Sequence, residues 1–336
     1  MDITPETSSS EQPENTMATF LQAQLDGESG QDIVDLCLDY ALIREVHPDK
    51  FIAVSGLEAF PNLEVLSISM QALEHLNGLP SLSQLHTLHL SLNALTSIQG
   101  LKNCPQIRHL DLSHNELSDL TTFPQLPLLE DLNLAHNHLT QAPNLPELPK
   151  LHTLSLSGNR HVKSLDGLQS LHSLRHLFLK QCFISDWNAL QHLKNLETLS
   201  ISPGGNAALQ ALSHLPHLTT LHLSAKRFSG ALDLPAIPAL EAMHVQGGTQ
   251  LNALYGLENT PQLHTLILRN NRISSLPNLH QCPNLRHLDL SFNPIASIDG
   301  LAQLQQLETL TLEGTPFHPR QIADLQSALP SVKILF

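Results

Sequence analysis

The chain is 336 residues long, dominated by leucine, with aromatics at 4% and charged residues at 14%. Length alone would allow two globular domains, but so few aromatics suit one elongated body built from equivalent leucine slots better than a compact enzyme core. The net charge is −14, with twelve acids against Arg44 and Lys50 in residues 1–60; no basic face is left to neutralise phosphates, which argues against nucleic-acid and anionic-membrane partners.

Taken in chain order, residues 1–28 read as an acidic tail, largely disordered, because residues 1–16 have almost no apolar content. The order of Met17 to Leu25, whose composition is mixed, stays open. Residues 29–62 read as an N-terminal helical cap followed by a partial repeat. The helix is expected over residues 30–46, with Ile33, Val34, Leu36, Cys37, Tyr40 and Ala41 facing inward. Phe51, Val54, Leu57 and Phe60 then occupy return slots of the partial repeat.

From residue 63 the sequence repeats, and a repeat decides the fold before any local reading. The pattern L-x-x-L-x-L-x-x-N-x-L fits Ile107, Leu110, Leu112, Asn115 and Leu117. It returns at Leu129–Leu139, Leu263–Ile273 and Leu285–Ile295. The first apolar slot falls at Leu63, Leu85, Ile107, Leu129, Leu151, Leu174, Leu196, Leu218, Leu240, Leu263, Leu285 and Leu307. Each unit predicts one short strand, a turn and a returning segment. Leu110 and Leu112 point into the core, and His109, Asp111 and Ser113 point out. Return slots recur every third residue (Leu95, Ile98, Leu101, Cys104, Ile107), which fits 3₁₀ turns. The Asn slot supplies an amide for turn backbones that face the core. It is occupied by Gln71, Asn93, Asn115, Asn137 and Asn159, lapses at Cys182, Gly204, Lys226 and Gly248, and resumes at Asn271, Asn293 and Thr315. About twelve repeats span 63–317. Residues 318–336 form a C-terminal cap, with Ile322, Leu325 and Leu329 on one helical face and Val332 and Ile334 alternating as a last strand.

These residues resemble the 22-residue class of leucine-rich repeat, the class of the regulatory subunit of type-one protein phosphatase; the C-terminal segment is similar to the ends of bacterial leucine-rich-repeat proteins. The resemblance covers roughly 50–336. It implies an α/β solenoid: a curved right-handed horseshoe with a parallel sheet on the concave face, 3₁₀ or irregular turns on the convex face and helical caps at both ends. It also implies protein binding on the concave face. The phosphatase partner does not carry over, because the concave positions here are mainly Ser, Thr and His.

The more chemically committed concave positions are His89, His109, Asp111, Asp131, Asn133, His176, Phe178, Lys180, His222, His244, Ile267, Arg269, His287, Asp289 and Phe292. Phe178, Ile267 and Phe292 are apolar among polar neighbours. They read either as anchors for a partner or as groups partly buried by the solenoid's curvature. His222 and His244 share a column on consecutive strands, as do His114 and His136 further on. Neither pair has a third ligand in view, so no metal or other cofactor is expected. Many histidines fall in duplicated strings: HTL at 86, 152 and 264, RHL at 108, 175 and 286. The His–Asp pairs belong to the repeat consensus, and an open sheet face does not exclude water, so catalysis is not expected. Cys37, Cys104, Cys182 and Cys282 read as buried small hydrophobes and Trp187 as core. Ser202 and the two glycines after it read as a loosened turn.

The expected function is a protein-interaction scaffold, cytoplasmic and monomeric, with a protein partner. A bacterial effector or host-interaction protein of the same fold is the alternative, and a metal-dependent hydrolase the remote one. The cytoplasmic expectation rests on the absence of paired cysteine spacing, of an apolar run near about 20 residues, and of a signal-peptide-like start.

Overall fold

A computed structural model describes residues 17–25, 29–44, 49–248 and 250–336; the tail reading for residues 1–16 and 26–28 lies outside these. The structure divides into two compact units, Met1–Glu116 with Pro124–Leu126, and Leu117–Phe123 with Pro127–Phe336.

The first unit opens with helix α1, Met17–Leu25, which buries Met17 and Leu21. It is tied down by the Ala18 amide, which donates to Ser55 Oγ at 3.1 Å, and by Phe20, whose ring packs against Phe51 tilted by 55° with centroids 5.7 Å apart. Four parallel strands follow in sequence order: β1 Asp35–Cys37, β2 Val65–Ser67, β3 Thr87–His89 and β4 His109–Asp111. A short helix, α2 (Tyr40–Ile43), lies between β1 and β2. The single helix expected over 30–46 does not form. Ile33, Leu36 and Leu38 satisfy the repeat's own L-x-x-L-x-L spacing, and the strand alternative gains a complete ladder against β2. Leu36 lies opposite Leu66, the Leu38 amide donates to the Ser67 carbonyl at 2.7 Å, and Leu38 takes the buried slot. Asp39 fixes the register, accepting from Ser67 Oγ at 2.7 Å and the Ser69 amide at 2.6 Å. Of the residues expected inward, Val34, Cys37 and Ala41 are exposed. Phe51, Val54, Leu57 and Phe60 are buried return slots, as the pattern requires.

The second unit carries ten parallel strands of the main sheet. They are β5 Asp131–Asn133, β6 Thr153–Ser155, β7 His176–Phe178, β8 Thr198–Ile201, β9 Thr220–Ser224, β11 Ala242–Gln246, β13 Thr265–Ile267, β14 His287–Asp289, β15 Thr309–Thr311 and β16 Lys333–Leu335. Two further strands, β10 Ser229–Asp233 and β12 Gln250–Tyr255, pair with each other in a separate two-stranded parallel sheet. The return segments elsewhere are mostly 3₁₀ turns or irregular, with the short helix α3 at Asn206–Gln210. From β2 to β15 of the main sheet the central leucine, or Met243, is buried and its neighbours on either side are partly exposed, Ser200 excepted, the period-two pattern of a sheet with one wet face. Each fully buried leucine contributes roughly 1.5–3 kcal/mol. Helix α4, Pro319–Ala328, starts at a capping box. His318 accepts from the Arg320 amide through Nδ1, and Gln321 Oε1 accepts from the His318 amide. It buries Ile322 and Leu325, and β16 completes the sheet beside β15.

The amide ladder holds successive coils together. Asn159, fully buried, donates to the Leu134 carbonyl of the preceding coil at 2.9 Å and to its own Leu156 carbonyl at 2.8 Å. It accepts from the Leu139 amide at 3.1 Å. Asn115 makes the same set in the first unit with Leu90, Leu112 and Leu95, all at 3.0 Å. Cys182 keeps one arm, its thiol donating to the Leu156 carbonyl at 3.0 Å. Where Gly204, Lys226 and Gly248 leave the ladder bare, β9 and β11 lengthen to five residues and the β10–β12 pair takes up backbone groups. Asn206 caps the free edge of β10, donating to the Ala231 carbonyl and accepting from the Asp233 amide, both at 3.0 Å.

One residue before the ladder slot the backbone turns left-handed, with non-glycine residues at Met70, Leu92, His114, His136, Gln181, Asn270 and Phe292. Each costs roughly 1–2 kcal/mol. Gly158 shows why some coils need glycine there: φ is +83°, and a Cβ would lie 2.6 Å from the His136 ring.

Two outcomes test this fold. Replacing Asn159 with Ala leaves the buried Leu139 amide unpaired and takes one of several donors from the Leu134 and Leu156 carbonyls, and should lower stability by roughly 1–3 kcal/mol, read from the urea midpoint. Of the four free thiols, Cys104, Cys182 and Cys282 are buried and Cys37 is exposed, correcting its expected burial. Burial also pushes Cys182 up to about 12 and Cys282 up to about 11. A disulfide reagent should therefore titrate one thiol in the native protein and all four in urea.

Candidate functional site

The strand register arranges the exposed side chains in rows. In the first unit His89 lies directly opposite Asp111, and His109 opposite Thr87. In the second unit one row runs Asp131, Thr153, His176, Thr198, Thr220, Ala242, Thr265, His287 and Thr309. The row beside it runs Asn133, Ser155, Phe178, Ser200, His222, His244, Ile267, Asp289 and Thr311. Lys180 and Arg269 follow Phe178 and Ile267 by two residues and lie beside this row.

Several candidates turn out to be committed to the fold. Asp111, Asn133 and Asp289 each accept, through a side-chain oxygen, from the backbone amide two residues on: Ser113 at 2.9 Å, Ala135 at 3.1 Å and Ser291 at 2.8 Å. They hold the turn that leads into the ladder slot. Asp131 pairs with His152 at 3.4 Å, and His287 meets Thr309 Oγ1 at 2.8 Å. Phe292 is exposed but not bare: Arg269 sits 4.8 Å from its ring centroid and also pairs with Glu313 at 3.3 Å, while the ring lies over Gly314.

The centre of the second row is different. Phe178, His222, His244 and Ile267 are half-buried, on four of five neighbouring strands. The two imidazoles lie 4.5 Å apart, tilted by 37°. Burial, the neighbouring His244 and the Lys180 charge push His222 down to about 4. Burial and Lys180 also push His244 down. At neutral pH this is therefore an uncharged aromatic surface with a cation beside it. Between Phe178 and His222, Ser200 is buried and its Oγ has no hydrogen-bond partner. Among the described residues no group of three or more His, Cys, Asp or Glu is placed to hold a metal ion, and no helix is long and apolar enough to cross a membrane.

A second feature escaped the sequence reading. The position before most main-sheet strands, though not β1, β9 or β16, carries a charged or imidazole side chain, and several of these pair as a charge ladder along the sheet edge. Glu64 meets His86 at 3.4 Å in the first unit. In the second, Glu130 meets His152 at 3.9 Å, Arg175 meets Glu197 at 2.7 Å, His264 meets Glu241 at 3.7 Å and Arg286 meets Glu308 at 3.2 Å. The signal was the duplicated HTL and RHL strings, whose histidines and arginines recur at this edge position. An open cleft of about 840 Å³ runs along it, lined by residues including Lys150, His152, Arg175 and Glu197. The Glu130–His152 and Arg175–Glu197 pairs that line it are partly or well exposed, worth about 0–1 kcal/mol each.

Stacked coils, one parallel strand per coil and a bridging amide in most turns define a leucine-rich-repeat solenoid. Family models agree. The model for two-copy leucine-rich repeats matches residues 127–170, 261–303 and 283–331, and a second leucine-rich-repeat model matches 83–139. Among solved structures, an internalin of Listeria monocytogenes is similar at a TM-score of 0.56 and 18% identity, covering 95% of this chain and 93% of that one. A leucine-rich-repeat protein of Leptospira interrogans is similar at 0.51 and 19%, covering 94% and 98%. No curated protein matches the sequence significantly. The chain is a leucine-rich-repeat protein.

The depressed histidine has a consequence for stability. An unfolded chain protonates His222 near 6.5, whereas the native state resists protonation until about 4. The unfolded state therefore binds more protons in that window, and stability falls as pH drops from about 6.5 towards 4. The urea midpoint of His222→Gln should fall less steeply over this range than that of the unaltered protein; parallel curves would contradict it.

Proposed function

We propose that this chain is a protein-interaction module that binds a protein partner on the exposed face of its main sheet, without catalysis of its own. The observation that carries the reading is the half-buried row of Phe178, His222, His244 and Ile267 on a sheet face otherwise occupied by small polar side chains. Aromatic and apolar groups surrounded by polar ones are where binding energy concentrates at interfaces. The His–Asp pairs do not favour acid–base work, since Asp111 and Asp289 each spend a carboxylate oxygen on the next turn. The four cysteines are free, which supports a reducing, cytoplasmic setting. The likeness to the bacterial structures carries the fold alone, so recovery of the protein outside the producing cell would move the partner to another organism.

A partner captured stoichiometrically by the full chain should lose at least about tenfold in affinity with Phe178→Asp, or about 1.4 kcal/mol. The fold, followed by circular dichroism, should be unchanged. Unaltered affinity in that variant would remove this face from the reading.

A further inference from the structure

The row that carries the proposed function also constrains the chemistry of what it binds. Three independent features converge between β7 and β13. First, Lys180 is a cation with no acidic group within ion-pair distance among the described residues, whereas Arg269 on the same face is paired with Glu313 and stacked on Phe292. Second, Ser200 places a buried hydroxyl without a partner in the row between Phe178 and His222. Third, Phe178 at one end and Ile267 at the other give apolar contact, with the stacked His222–His244 pair between them.

We propose that this stretch docks an acidic segment of the partner protein, a carboxylate seating against Lys180 and Ser200 while neighbouring apolar side chains of the segment cover Phe178, the imidazole pair and Ile267. This rests on the interaction-module reading and gives it a partner chemistry.

Charge complementarity selects the occupant. An unpaired ammonium beside half-buried neutral rings gains most from an anion that replaces its lost water, and a buried hydroxyl gains a hydrogen bond by donating to the same anion. The charged and titratable groups facing the pair are Lys180 and His176 on or beside β7, Arg269 after β13, and His287 and Asp289 on β14; β8 contributes none. Asp289 is already engaged by the Ser291 amide. Phe178 and Ile267 are four strand spacings apart, about 19 Å, which an extended segment of about six residues spans. A seated carboxylate would also favour protonation of the two imidazoles, so binding should tighten as pH falls.

The test uses the full chain, proton–nitrogen correlation spectra of its imidazoles assigned through His222→Gln and His244→Gln, and three probes. These are the blocked hexapeptide Leu-Glu-Phe-Glu-Leu-Glu, its counterpart with Lys in place of Glu, and a short oligothymidylate. The acidic peptide should shift both resonances saturably at millimolar concentration and raise their titration midpoints. The effect should weaken several-fold in Lys180→Gln, vanish in Lys180→Glu and survive in Lys180→Arg. The proposal is overturned if the acidic peptide moves neither ring, if the lysine peptide or the oligothymidylate moves them equally, or if Lys180→Glu changes nothing. Loss of peptide binding alongside a captured partner that still depends on Phe178 would discard the acidic chemistry and leave the interaction-module reading standing.

Discussion

Each turn that leads out of a strand points backbone amides and carbonyls into a leucine core, and in most coils one side chain satisfies them. An unpaired buried group costs about 1–3 kcal/mol, so a dozen bare turns would outweigh much of the leucine burial. The bridging asparagine answers this twice over. By donating to the coil before it and accepting from that coil's return segment, Asn159 ties neighbours together as well as closing its own turn. Coil stacking in turn fixes which residues share a row on the wet face. The tolerance for left-handed residues such as Leu92 and Phe292 belongs to the same economy, since their strain is repaid by the neighbouring amide's bonds.

The lapse in the ladder shows the constraint from the other side. Across Gly204, Lys226 and Gly248 no amide is available, and the chain finds other partners: longer strands β9 and β11, the β10–β12 pair, and Asn206 at the edge of β10. The aromatic row lies across these same coils, on β7 to β13. The least regular part of the return side thus backs the most distinctive part of the exposed face.

Much of this was legible in the sequence. The L-x-x-L-x-L spacing located every repeat strand from β2 to β15, and the return slots at Leu95, Ile98, Leu101 and Cys104 are all buried. The exposed rows follow from period two, and Phe178 and Ile267 stood out as apolar among polar neighbours. What escaped was what a one-dimensional pattern underdetermines. Ile33 and Leu36 fit a helical face as well as a strand, and only pairing with β2, which buries Leu38, decides between them. Asn206 gave no signal, because its partners lie 25 and 27 residues away. The charge ladder was visible as repeated HTL and RHL strings, but reading it as ion pairs needs the register. The pairing of His222 with His244 was legible in the register, but the uncharged state of His222 depends first on its burial and then on His244 and Lys180 beside it, and no spacing rule supplies that burial.

The central claim is that rows set by coil stacking form the surface a partner covers. Hydroxyl-radical footprinting of the chain with and without its captured partner tests it directly. Protection should concentrate at Phe178, His222, His244 and Ile267, with Tyr255, exposed on the separate β10–β12 sheet, unchanged. Protection at Tyr255 with none along that row would contradict the account.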